Sequence, residues 1–278
     1  MNNNSPKMKQ TILITGASSG IGKATALWFS QNGWNVAATM RNPSKETEFA
    51  DQPNIKLYTL DVTDHQSVTN AFQQISSEFG KIDVVVNNAG FGADGVFEAM
   101  DDEFIRKQFE TNVFGLMRVT REAMKHMRPN KSGTIVQVAS VGGRVAFPLY
   151  SIYHASKWAV EGFSESLQFE AEQFNIKIKI IEPGAIKTEF YGRSRAFVKP
   201  TTTKEYDKFV EKVEILNRSA GEKGADVGVV AKTIYKSVTD NSKKLRYPVA
   251  YPAPLLLPMK RFLPASVYYA FVRKSYGI

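Results

Sequence analysis

The stretch TILITGASSGIG, Thr11 to Gly22, runs from five apolar or β-branched residues directly into glycines at positions 16, 20 and 22. A short β-rich run that breaks into glycine predicts a strand, a tight turn and then a helix, with the turn open to close approach by a ligand. The spacing Gly16-x3-Gly20-x-Gly22 departs from GxGxxG, because counting on from Gly20 and Gly22 the third position falls on Thr25. Taken alone, the turn reads equally well as a plain strand-to-helix connection.

The chain beyond it repeats the same rhythm. Runs of strand type fall at 35–40 (NVAATM), 55–60 (IKLYTL), 82–87 (IDVVVN), 134–139 (TIVQVA) and 177–182 (KIKIIE), with helical patterns between them and a last strand at KLRYPVA. Such alternation predicts parallel strands joined by right-handed crossovers. The expected architecture is α/β: one Rossmann-like domain over residues 9–250, a doubly wound parallel sheet of about seven strands with helices on both faces. Residues 1–8 (MNNNSPKM) are expected to be disordered. The segment 185–224 is long and polar, carries one helical pattern in TKEYDKFVEKVEIL, and is expected to form a lid over the strand ends, where open α/β sheets bind ligands.

Composition excludes several chemistries. There is no cysteine, and His65, His126 and His154 are scattered, so neither a zinc cluster nor a thiol nucleophile is expected and no metal is called for. The first ten residues lack the apolar centre of a signal peptide, and no window reaches the roughly 18 apolar residues of a membrane span, so a cytoplasmic protein is the expectation. The net charge is +9, and residues 241–278 carry seven basic residues and no acidic one. That basic surface suits an anionic membrane, a nucleic acid or an acidic protein, or is simply solvated. No nucleic-acid-binding module is recognisable. In the tail LLLPMKRFLPASVYYAFVRKSYG, Pro258 and Pro264 are expected to interrupt any long amphipathic helix, which favours a clamp on the substrate end, or a subunit contact, over a membrane anchor.

If the glycine turn holds a dinucleotide, the end of the second strand should choose between cofactors: a carboxylate there binds ribose hydroxyls, a basic group a 2′-phosphate. The sequence is AATMRNPSK, with no carboxylate before Glu46, and Arg41 stands nineteen positions beyond Gly22. Its planar guanidinium suits a phosphate, which predicts NADP(H) over NAD(H); the plainer reading is a solvated loop arginine. In YSIYHASKWAVEGFSESL, Tyr153 and Lys157 stand at i and i+4 of a helical pattern, where a cation beside a phenol favours the phenolate and makes the phenol a usable general acid. Ser140, thirteen residues earlier at a strand end, is placed to orient a substrate oxygen. Asn112 lies within a helical pattern, where asparagine often marks a local break or a bound water.

Together, Gly16-Ala-Ser-Ser-Gly-Ile-Gly22, Asp61, Asn87-Asn-Ala-Gly90, Asn112, Ser140, Tyr153-His-Ala-Ser-Lys157 and Pro183-Gly184 resemble the short-chain dehydrogenase/reductase family in order and spacing, over roughly residues 8–250. The resemblance implies an oxidoreductase acting on CH–OH groups, with Tyr153 exchanging the proton on the substrate oxygen and Ser140 holding that oxygen. It further implies that Lys157 binds the nicotinamide ribose and that Asn112 holds a water linking the lysine to solvent. By the same resemblance Gly16, Ser18, Ser19, Gly20, Ile21 and Gly22 cradle the cofactor, Asp61 meets the adenine and Val62 makes a backbone contact. Asn88, Ala89 and Gly90 close the pocket beside the ribose, and Pro183, Gly184, Ile186 and Thr188 line the nicotinamide side. Asp61 as a helix cap, and Pro183-Gly184 as an ordinary turn, are the structural alternatives. Relatives commonly form homodimers or homotetramers through the helices carrying Asn112 and Tyr153.

Within the family the motifs look more like the hydroxysteroid and retinol dehydrogenases than the ketoacyl-type reductases, which implies an apolar alcohol or carbonyl as the small-molecule substrate. Phe91, Val141, Arg144, Phe147, Leu149, Tyr150 and Tyr191 follow strand ends on the binding edge and are the expected walls. Other readings are a ketoacyl-type or general small-carbonyl reductase, and a non-catalytic NADPH-binding sensor or scaffold on the same fold.

Overall fold

The computed structural model describes residues 9–188, 195–199 and 204–278. Seven strands form one parallel sheet: β1 (Thr11–Thr15), β2 (Asn35–Met40), β3 (Ile55–Thr59), β4 (Val84–Asn87), β6 (Gly133–Val138), β7 (Ile176–Pro183) and β9 (Arg246–Val249). Their spatial order is β3-β2-β1-β4-β6-β7-β9, every pairing parallel. The order runs outward from β1 in one direction and from β4 in the other, so a crevice opens where the C-terminal ends of β1 and β4 part.

The double winding follows from alternation along each strand. Ile12 and Ile14 of β1 enter one apolar layer with Ala26 and Phe29 of α1 (Gly20–Gln31) and Val230 and Ile234 of α7 (Val227–Thr239). Leu13, between them, enters the other layer with Phe72 and Ile75 of α2 (His65–Phe79) and Val119 and Ala123 of α4 (Leu116–Met127). A strand buried on both faces must be apolar throughout, and each large side chain sealed in this way contributes about 1.5–3 kcal/mol of hydrophobic free energy. Helix starts are fixed by side-chain caps: Asp64 accepts from the N–H groups of Gln66 and Ser67 ahead of α2, and Asp101 from Phe104 ahead of α3 (Asp102–Phe109). Asp64, not Asp61, is therefore the cap of α2.

The 22-residue helix α5 (Ser151–Glu172) packs on β7 and on the turn that follows β6. Beyond β7, β8 (Arg195–Val198) pairs in parallel with β5 (Gly92–Gly95) in a separate two-stranded sheet, and α6 (Asp207–Glu222) follows. The chain then closes with α8 (Ala253–Phe262) and α9 (Ala265–Tyr276).

Two features differ from the sequence expectation. The segment 185–224 holds a paired strand as well as a helix, and that helix runs on to Glu222. Pro258 does not stop α8, which continues to Phe262; the hydrogen bond it forgoes, to the Pro254 carbonyl, lies on an exposed face, and the break comes at Leu263 and Pro264. The buried sides of α8 and α9, including Leu256, Leu257, Tyr268 and Val272, pack with Val141, Val145 and Phe147 beside the end of β6. Lys260 of α8 adds a 2.6 Å hydrogen bond to the Arg144 carbonyl and lies over the Trp158 ring. Among the described residues no helix is long and apolar enough to cross a membrane.

Candidate active site

The glycine turn is built for close backbone contact. Gly16 and Gly20 have φ of +65° and +54°, a region that disfavours side chains, and a Cβ on Gly16 would stand 2.9 Å from Ala89 Cα. A Cβ on Gly22 would collide with the Gly16 carbonyl and lie 2.5 Å from Asn88 Nδ2. Ser19 precedes α1 without capping it through its side chain, and the first turn of α1 carries no acidic residue. The positive end of the helix, with its backbone N–H groups, therefore fits a pyrophosphate.

Asn88 fastens this turn to β4. Its Nδ2 donates to the carbonyls of Thr15 and Gly16 at 3.0 Å each, while Thr15 Oγ1 accepts from the N–H groups of Asn88 and Ala89. Beneath it Asn87, Thr120 and Gln137 form a buried hydrogen-bonded cluster. Arg41 follows the end of β2 and is exposed. Glu46, the first carboxylate after it, is drawn away to Lys23 of α1 at 3.1 Å, with Glu48 as the lysine's second partner. Asp61 follows β3, its Oδ1 accepting from both the N–H and the hydroxyl of Thr63, and Val62 beside it is buried under Gly115.

Asn112 lies in a π-helical segment, Glu110–Gly115, wedged between α3 and α4. Its Oδ1 accepts from Phe91 N–H, and its Nδ2 donates to the Phe91 carbonyl and to Ser156 Oγ, so the side chain clamps the chain beyond Gly90 to α5. π-turns of this kind recur at functional sites because they shift the backbone carbonyls out of register.

Ser140 stands two residues beyond β6, with Oγ accepting from Gly142 N–H at 3.0 Å. On α5, Lys157 is buried; its Nζ donates to the Val138 carbonyl at 2.8 Å and lies 5.9 Å from the centre of the Tyr153 ring. Burial pushes the Lys157 pKa down to about 8, partly offset by the negative charge of Glu161 one turn along. His154 is buried among Phe147, Tyr150 and Tyr153 and accepts from Phe147 N–H; burial, with Lys260 nearby, takes its pKa down to about 3, which keeps it neutral.

A family model for short chain dehydrogenases matches residues 10–199. The chain belongs to the short-chain dehydrogenase family. It is 35% identical over 277 residues to an uncharacterized oxidoreductase, YusZ, of Bacillus subtilis, covering 96% of this chain and 98% of the relative. It is 34% identical over 271 residues to the 3-ketodihydrosphingosine reductase of Bacteroides thetaiotaomicron, covering 97% and 98%. Among solved structures it is similar to ElxO with NADP bound, at a TM-score of 0.72 and 31% identity, covering 87% of this chain and 98% of that one.

Other expected residues also fall on the C-terminal edge of the sheet. Gly184 follows β7, and a Cβ there would press on the carbonyls of Ala250 and Tyr251. Ala185 and Lys187 bond to Ala225 on both sides of a bridge, so the N–H and C=O of Ile186 between them face the opposite side. The Thr188 methyl lies over Gly20, which joins this segment to the glycine turn. Of the expected walls, Phe91 is held by Asn112 and Gln108, and Val141 and Phe147 pack under α8 and α9. Leu149 packs with Val96, Val210 and Val213, and the rings of Tyr150 and Tyr153 meet edge to face at 6.1 Å. Arg144 turns to Glu182. Tyr191 lies outside the described residues.

Two sets of buried charged residues were not legible in the sequence. Asp94 of β5 and Arg195 of β8 form a buried ion pair, with Glu214 of α6 as the arginine's second partner. Glu161 and Glu182 lie buried behind Lys157 and Ser140. The one signal for the second set is a lone acid inside the apolar run IKIKIIEP and another one helical turn past Lys157.

Proposed function

We propose that this dehydrogenase interconverts an alcohol and its carbonyl with NADP(H), on an apolar, lipid-like substrate, with Tyr153 as general acid and base. The observation that carries the reading is the buried Lys157, fixed to the Val138 carbonyl with its ammonium beside the Tyr153 ring. A cation held there favours the phenolate and brings the phenol toward its working range. Tyr153 delivers or removes the proton at the substrate oxygen, and the Ser140 hydroxyl orients that oxygen. A bound nicotinamide supplies or accepts the hydride at the carbonyl carbon. Asn112, whose side chain is fixed by Phe91 and Ser156, holds the water that links Lys157 to solvent.

The residues around the cofactor fit the same reading. Gly16, Ser18, Ser19, Gly20, Ile21 and Gly22 hold the pyrophosphate against α1, Asp61 and Val62 the adenine, and Asn88, Ala89 and Gly90 the ribose side. Pro183, Gly184, Ile186 and Thr188 line the nicotinamide, with the outward-facing amide of Ile186 for its carboxamide. Arg41 takes the 2′-phosphate, supported by the diversion of Glu46 to Lys23 and by the NADP bound to the related ElxO. The apolar substrate is supported by the relative that reduces 3-ketodihydrosphingosine and by the aliphatic and aromatic side chains around Leu149 and Tyr150. The segment 185–224 serves as its lid, and α8 and α9 brace the turn after Ser140. The working unit is a homodimer or homotetramer in the cytoplasm.

The test is NADPH oxidation, followed by absorbance, across long-chain aliphatic, retinoid, steroid and small ketones for wild type and Tyr153→Phe. Turnover with an apolar ketone that vanishes in the variant, while NADPH still binds, supports the reading. Tight NADPH binding without turnover on any carbonyl would point to the sensor instead.

A further inference from the structure

We propose that Glu161 and Glu182 share a single proton and, as a buried acid–carboxylate pair, position Lys157 and the turn carrying Ser140. The positioning role rests on the function read above for Lys157; the shared proton does not.

Glu161 is on α5, one turn beyond Lys157, and Glu182 is near the end of β7; they are 4% and 0% exposed. Each carboxylate has one oxygen on an arginine. Arg246 Nε donates to Glu161 Oε2 at 3.0 Å, and Arg144 Nη1 to Glu182 Oε1 at 3.2 Å. Among the described residues the remaining oxygens, Glu161 Oε1 and Glu182 Oε2, are buried and meet no donor, although the two side chains are within hydrogen-bonding reach of one another. Two carboxylate oxygens are both acceptors and cannot satisfy each other. One proton between them makes a single O–H···O bond that satisfies both and removes one of two facing negative charges. Burial, followed by the neighbouring Glu182, lifts the Glu161 pKa to about 7, and burial also raises that of Glu182.

The charges around the pair come from every element that packs on it. Lys157 and Glu165 lie on α5 itself; Arg144 comes from the turn after β6, Arg246 from β9, and Lys260 reaches the Arg144 carbonyl from α8. His154 is neutral. The pair is also pressed against the catalytic turn: a Cβ on Gly143 would stand 2.9 Å from Glu161 Cγ and 3.0 Å from the Lys157 carbonyl. Glu182 holds Arg144, and Arg144 follows that turn, so the pair links Lys157 and Ser140 from behind. With the proton in place the pair carries one negative charge beside Lys157. As pH rises through about 7 the proton leaves, a second negative charge appears, and the lysine keeps its own proton to higher pH.

Glu161→Gln and Glu182→Gln replace the shared proton with a permanent amide donor of the same shape. Infrared difference spectra of wild type against each variant should contain the carbonyl stretch of a protonated carboxylic acid below about pH 7, and it should fade above it. In both variants the alkaline limb of the kcat profile should move down by roughly one pH unit while NADPH affinity stays within about threefold. Glu161→Ala should lose folding stability that Glu161→Gln keeps. Absence of the carboxylic band overturns the shared proton. The band with pH profiles equal to wild type, or with a lowered but unshifted kcat, overturns the positioning role. A chain that shows the band but turns over no substrate removes the functional reading and leaves the shared proton standing.

Discussion

Lys157 Nζ donates to the carbonyl oxygen of Val138 at 2.8 Å, which ties the middle of α5 to the end of β6 two residues before Ser140. The bond keeps a buried cation supplied with an acceptor and sets its height relative to the serine. The unfolded chain holds the lysine proton to about pH 10.5, whereas the folded chain releases it near 8. Between these values the unfolded state binds more protons, so this group makes stability rise with pH across that window. Lys157→Met should abolish the rise while lowering kcat by ~10²-fold or more. Denaturation midpoints of wild type and variant, compared at several pH values, isolate the contribution.

Arg41→Ala should weaken NADPH binding by about tenfold or more and leave NADH binding unchanged, because only the 2′-phosphate loses a partner. Equal losses for both nucleotides in fluorescence titrations would remove Arg41 from the phosphate site.

Asn88→Ala removes the two hydrogen bonds that hold the Thr15 and Gly16 carbonyls. The glycine turn should loosen, raising the Kd for NADPH roughly tenfold with a much smaller change in kcat at saturating cofactor, since neither Tyr153 nor Lys157 is touched. Calorimetric titration and saturation kinetics separate the two effects.

Arg195→Met strands the carboxylate of Asp94 in a fully buried site, and should cost about 3–5 kcal/mol in urea denaturation. Adding Asp94→Leu should recover part of that loss, because the orphaned charge is then gone. A cost below about 1 kcal/mol for the single variant would mean that the pair does not hold β8.

The main sheet was legible because its strands are short, largely β-branched or apolar runs punctuated by turn residues, a pattern that burial on both faces requires of the central ones, whereas the edge strands β3 and β9 are buried only in part. β5 and β8 were not legible. Gly92-Ala-Asp-Gly95 is half glycine, and its pairing depends on an aspartate meeting an arginine 101 residues away, which no local pattern encodes. That Tyr153 and Lys157 share one helix could be read because the two keep helical spacing. The Glu161–Glu182 contact joins a helix to a strand through tertiary packing, and neither residue carries a local motif. Pro258 misled for a related reason: the cost of a proline inside a helix depends on whether the freed carbonyl faces water, and sequence does not state which face is wet.

Tyr153, Lys157, Glu161 and Glu165 stand at four-residue steps along one unbroken helix, from the ring beside the lysine to the carboxylate bonded to Arg246. α5 therefore works as a ruler. One residue inserted after Lys157 would leave the tyrosine and lysine in register but turn Glu161 by about 100° away from Glu182 and Arg246. In evolutionary terms, length changes in this chain should collect in the connections at the two ends of α5 and be purged between Tyr153 and Glu165. Substitutions there would be constrained by side-chain chemistry, and insertions by geometry alone.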